Sequence, residues 1–171
     1  MERRDWLNLI LFKLGWGVAV VGGDPWLLPQ LVVIAASLAV VRPSRAVLAT
    51  VVAVALLGIG RDAALVLAGV LEMGNSVMPV WLALLWVQFA LVLQRGMHWM
   101  AKLSEPVQVP VGMVSGTLAY AAAVGLGAGS VGGGVGSGAV AWAVIAVSWG
   151  ALMWLQLKLL TRTRGHRALA L

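Results

Sequence analysis

Apolar runs separated by short polar or turn-forming clusters dominate the chain. Six can be marked, at about 7–22, 26–41, 46–71, 79–101, 109–130 and 139–160. Each is of the order of the ~20 residues that a helix needs to cross a bilayer. Their separators are turn chemistry: Gly22, Gly23, Asp24 and Pro25, then Arg42, Pro43, Ser44 and Arg45, then Gly74, Asn75, Ser76 and Pro79. A charged loop around Lys102, Glu105 and Pro106 follows, and then eight glycines within residues 125–138. The pattern predicts an all-α, polytopic transmembrane bundle of about six spans, forming one transmembrane domain over 1–171 with a basic tail at 161–171.

The third run is too long for a simple crossing. Its 26 residues would extend ~39 Å against a hydrocarbon core of ~30 Å. Gly58 and Gly60 precede Arg61 and Asp62, and an aspartate followed by Ala63, Ala64 and Leu65 suits the N-cap of a second half-helix. The expectation is a span kinked or broken near Gly58–Asp62.

Composition excludes a water-soluble fold. Apolar residues make up 61% of the chain and charged ones 11%, against roughly 45–50% and about 25% in soluble domains. The first run carries Lys13 and lacks the short core and small-residue cleavage site of a secretory signal, so it is expected to be a retained helix. Without cysteine there are no disulfides, thiolate metal sites or cysteine nucleophiles.

The net charge of +6 is explained by where the cations fall. Arg3, Arg4, Arg42, Arg45, Arg95, Lys102, Lys158, Arg162, Arg164 and Arg167 all lie on alternate sides of the six-span scheme, and the other loops carry no Lys or Arg. By the positive-inside rule both termini are cytoplasmic. The expected location is a bacterial cytoplasmic membrane. Trp6, Trp26, Trp81, Trp99 and Trp154 fall near predicted helix ends, where indoles favour the headgroup layer. The basic excess is thus an orientation signal, and nucleic acid is not an expected partner.

Chemistry-bearing residues are few. Arg61 and Asp62 stand out because a charge within hydrocarbon costs from ~2.5 kcal/mol upward and so needs a partner or water. Adjacent residues point in different directions on a helix, so a simple mutual neutralisation is not expected unless the backbone breaks there. The pair reads either as a structural cap with an interhelical ion pair, for which Lys13 is a candidate partner of Asp62, or as a ligand or proton site. On the fourth run Gln88, Gln94, Arg95 and His98 fall within one arc of a helical wheel, with Trp99 and Lys102 beside them. This face is expected to meet an anionic headgroup or a fatty-acid carboxylate at the cytoplasmic leaflet, or else to be interfacial polarity.

Other motifs carry less. Gly112 and Gly116 form a GxxxG pair continued by Ala119, Ala123 and Gly127, a spacing that lets helices approach closely, and Tyr120 beside it is suited to bonding across helices. Residues 127–132 spell GxGxxG, but no strand precedes them and neither the ribose-binding acid nor a Walker lysine follows, so no nucleotide is expected. His98 and His166 are the two histidines, too few for a histidine metal cluster. No metal and no cofactor are expected.

Several fragments in order resemble a bacterial membrane family, domain of unknown function 2878. They are Phe12, Leu14, Gly15 and Trp16; Gly58 with Asp62; Pro79, Trp81, Leu82, Leu85, Trp86, Phe89 and Ala90; and Gly116, Leu118, Ala119 and Tyr120 leading into Gly125, Leu126, Gly127 and Ala128. The resemblance runs from about residue 8 to about 160. It implies a polytopic helical fold in an inner membrane and assigns no catalytic residues. Members are encoded near fatty-acid-modifying and cyclopropane-synthase-like enzymes, so it also implies a lipid connection by association. The chain departs from the family at Lys13, where an uncharged amide is usual.

The leading functional expectation is a binding, transfer or accessory component of lipid or fatty-acid metabolism, with membrane lipids as partners and a second membrane protein or a second copy as a further one. The alternatives are a small proton- or ion-coupled transporter using Asp62 and Arg61, and a membrane-embedded lipid-modifying enzyme. The absence of a cluster of nucleophile, base or metal ligands weighs against an enzyme.

Overall fold

The computed structural model describes residues 1–74, 76–132 and 138–168, with side chains as far as Arg162. Asn75, residues 133–137 of the glycine-rich loop and the side chains of Arg164, His166 and Arg167 lie outside the described residues. Six α-helices make up nearly all of it: α1 (Arg3–Gly22), α2 (Leu27–Val41), α3 (Arg45–Leu67), α4 (Val80–Gln94), α5 (Glu105–Gly125) and α6 (Gly138–Ala168). Four of them, and α2 taken with the 3-10 turn Asp24–Trp26 that leads into it, are long and apolar enough to cross a membrane, and α4 is a shorter apolar helix. Two-residue strands β1 (Leu71–Glu72) and β2 (Ser130–Val131) pair antiparallel at one end of the bundle.

Local chemistry sets the boundaries. Asp5 accepts from the Glu2 amide at 2.8 Å and so fixes the start of α1. Arg42 adopts the left-handed conformation, φ 49°, and closes α2. Ser44 then caps α3 by accepting from the Val47 amide.

The third span is not broken. α3 runs as one uninterrupted helix through Gly58, Gly60, Arg61 and Asp62. Its excess length is removed instead at the end, where residues 68–70 turn out of the helix and the chain enters β1. Gly58 serves close packing: a Cβ there would lie 2.1 Å from the Trp86 ring. Asp62 is a mid-helix residue and no cap.

The fourth span is shorter than its apolar run. Helix α4 stops at Gln94, and a 3-10 turn (His98–Lys102) completes the segment. The break follows from a close approach to α1. The Gly96 amide donates to Asn8 Oδ1 at 3.1 Å, and a Cβ on Gly96 would sit 3.0 Å from the Asp5 carbonyl oxygen.

Helix α4 is the hub, packing on α1, α2 and α3, while α6 packs on α3 and α5. Its buried face runs through Trp81, Leu82, Trp86 and the stretch from Gln88 to Leu93. Buried amides join the helices: Gln30 Nε2 donates to the Trp81 carbonyl at 2.8 Å and Gln156 Nε2 to that of Val54 at 3.2 Å. Outward positions such as Leu28, Leu56, Leu67 and Leu118 are exposed leucines, the surface expected where the solvent is lipid.

The helices alternate in direction, so the ends of the bundle differ in charge. One end gathers Arg3, Arg4, Arg42, Arg45, Arg95, Lys102, Lys158 and Arg162. The opposite end, with the turns after α1, α3 and α5, holds Asp24 and Glu72 and no Lys or Arg.

Candidate functional site

Arg61 and Asp62 form an ion pair despite being adjacent on an unbroken helix, with Arg61 Nη1 2.6 Å from Asp62 Oδ1. The long arginine stem makes this possible by curling back to its neighbour, which the simple direction of the Cβ atoms does not capture. The carboxylate is fully buried, and its other oxygen accepts from Trp86 Nε1 at 2.7 Å. The rest of the guanidinium is occupied on α6: Nη2 donates to Ser148 Oγ at 2.8 Å and to the Ile145 carbonyl at 3.0 Å, and Nε donates to Ser148 Oγ at 3.1 Å. Its face lies 5.1 Å from the Tyr120 ring centroid and 5.4 Å from that of Trp149. One clasp therefore ties α3 to α4, α5 and α6, and Lys13 is no part of it.

Below the clasp the aromatic rings continue as a stack. Trp86 lies against Trp149 at 5.2 Å, and Phe89 meets both edge-on. Small residues make room for it. A Cβ on Gly116 would fall 2.2 Å from the Trp149 ring and one on Gly112 2.6 Å from Met153 Cβ, so the GxxxG pair lies in the α5–α6 interface. The same-spaced Ala119 and Ala123 turn elsewhere, and Gly127 lies past the end of α5.

Ala119 and Ala123 face a chamber of about 630 Å³, within the ~300–1,000 Å³ of ligand pockets. Its walls come from α1 (Phe12, Lys13, Trp16), α4, α5 and α6, and the Trp86, Phe89 and Trp149 rings form its floor. Among the described residues α1 and α5 make no packed interface, and the partly open chamber lies between them. It runs along α5 from Val111 to Val124, ~20 Å at 1.5 Å per residue. One end is lined by Met97, Trp99 and Met100, the other by Val20, Met73 and Ala128.

The predicted polar face of α4 divides. Gln88 is buried against α1, where a Cβ on Gly15 would collide with its amide. Gln94, Arg95 and His98 line a separate polar cleft of about 470 Å³ with Met1, Glu2 and Asp5. The helical wheel fails here because the helix ends at Gln94. Arg95 is held by two carboxylates, Glu2 Oε2 at 2.6 Å and Asp5 Oδ1 at 3.1 Å, so its guanidinium is already balanced within the cleft. Trp99 belongs to the chamber instead.

Sequence reasoning missed Ser148, Trp86 and Trp149 as partners of the ion pair, and it missed the chamber. Trp86 stood within the resemblance fragments, but only its position opposite Gly58 shows what it does. Among the described residues no group of His, Cys, Asp or Glu is arranged to hold a metal ion.

An apolar multi-helix bundle with its buried ion pair neutralised inside and leucines outside defines a helical membrane protein. Within that class the chain belongs to the family described as protein of unknown function (DUF2878), whose sequence profile matches residues 5–155. Comparison with curated proteins and with solved structures finds no match.

Proposed function

We propose that the protein is an amphiphile-binding component of membrane lipid or fatty-acid metabolism, holding an acyl chain in the chamber between α1 and α5 as a binding, transfer or accessory subunit. The observation that carries this reading is the chamber itself: apolar, partly open between two helices, and ~20 Å long against a hydrocarbon core of ~30 Å. An acyl chain can enter such a space from the bilayer without crossing water. The Arg61–Asp62 clasp supports the same choice over a transporter, since each of its charges already has protein partners and reads as the rivet that holds the chamber floor.

Filling the chamber tests the reading. Ala119→Trp should lower the lipid retained per protein after purification, read by mass spectrometry, severalfold. Val114→Trp, on the exposed face of the same helix, should leave it unchanged. Equal retention in the two variants would remove the chamber as a binding site.

We further propose a bacterial cytoplasmic membrane with the basic end of the bundle inward, a reading supported by the rule that short loops rich in Lys and Arg stay cytoplasmic. Reporter fusions after residues 75 and 104 should then report opposite sides. The same signal from both would overturn this orientation.

A further inference from the structure

Resting on the chamber reading, we infer that Lys13 makes the site selective for anionic amphiphiles, its ammonium binding the carboxylate or phosphate of a ligand whose tail lies along Trp86, Phe89 and Trp149.

Four observations lead there. Lys13 lines the chamber wall and is exposed, on a helix where its neighbours Phe12 and Gly15 are buried. Among the described residues it makes no ion pair: the acids at its own end of the bundle are taken, Glu2 and Asp5 by Arg95 and Glu105 by Lys158, and Asp62 is held by Arg61. Its ammonium lies over the Phe12 ring, with Nζ 6.0 Å from the centroid. A lysine within an apolar span is costly unless it finds an anion or the interface.

The level of Lys13 along the bundle is fixed by contacts. Gly96 touches the backbone of Asp5 and Leu9, so Met97, Trp99 and Met100 lie beside the first half of α1. Lys13 is one turn deeper than Leu9, ~6 Å along the helix. A four-carbon stem spans that distance back toward Trp99, an indole suited to headgroup depth. The ammonium can therefore reach the basic end of the chamber, and from there the apolar walls run toward Val20, Met73 and Ala128. One cation at one end of a long apolar space is complementary to an amphiphile with an acid head. The polar cleft at Arg95 lacks the long apolar walls that a tail needs, and its guanidinium is already held by Glu2 and Asp5.

Tryptophans in the chamber wall provide the readout. Bromine on an acyl chain quenches indole fluorescence at contact, so binding can be titrated in phosphatidylcholine vesicles containing the full-length protein. Three probes share one tail: dibromostearate, dibromostearyl phosphate and dibromostearyl alcohol. In the wild type the acids should bind about tenfold more tightly than the alcohol, the scale of one charge-assisted bond. Lys13→Gln should abolish that preference by weakening acid binding about tenfold more than alcohol binding, and Lys13→Arg should keep it. A loss confined to the carboxylate points to a free fatty acid, and one confined to the phosphate to a phospholipid-type headgroup; both support the inference. If wild type binds acids and alcohol equally, or if Lys13→Gln weakens all three probes alike, the inference falls while the chamber reading stands. If no probe quenches in either protein, the chamber reading falls with it.

Discussion

Arg61→Met should lower the stability of the folded protein by about 3–5 kcal/mol, because it leaves the fully buried Asp62 carboxylate without its counter-ion. Asp62→Leu should be comparably damaging, since the guanidinium would keep its two α6 partners but lose the charge that balances it. The double variant, Arg61→Met with Asp62→Leu, is expected to recover most of the loss, as apolar side chains replace a pair whose charges were costly to bury. Thermal unfolding in detergent measures all three. A double variant no better than either single one would mean that the pair does something beyond balancing charge. Loss of lipid binding in a stable double variant would then move the functional site to the clasp.

The second large effect is expected at Gly58. A methyl group there would meet the Trp86 ring at 2.1 Å, and that ring cannot retreat freely, being bonded to Asp62 through Nε1 and stacked on Trp149. Gly58→Ala should therefore cost about 1–3 kcal/mol by overpacking, even though alanine gains ~1 kcal/mol over glycine in a helix interior. Gly60→Ala, two residues on, puts its methyl in open space and should be neutral or stabilising. The two variants share one helix and one chemical change, so the difference between their unfolding midpoints isolates the contact. Matching midpoints would show that Trp86 can shift without loss and that the aromatic floor is soft.

The extent to which the site was legible follows from what each signal can carry. Arg61 and Asp62 announced themselves, since charges inside an apolar run are rare and costly. Their partners did not, because Ser148 and Trp149 lie more than eighty residues away and nothing local marks them. Gln88 and Arg95 looked like one face only while the helix was assumed to continue. The Gly96 contact with α1 stops it at Gln94, and a local break caused by a distant backbone is invisible to a helical wheel. Ala119 and Ala123 shared the spacing of Gly112 and Gly116, yet they border the chamber while the glycines pack on α6. Spacing sets which residues share a stripe and not what the stripe meets.

The sequence by itself determined the class of protein, the number of helices and the gathering of basic residues at one end, because hydrocarbon demands long apolar helices and each demand is met within one segment. Tertiary structure alone decided that α3 runs through Gly58 unbroken, that Arg61 rather than Lys13 neutralises Asp62, and that α1 and α5 stand apart around a chamber. Those outcomes depend on which helices touch. In so apolar a chain almost any pairing of helices buries similar surface, and only a few glycines, aromatic rings and buried polar groups distinguish one pairing from another.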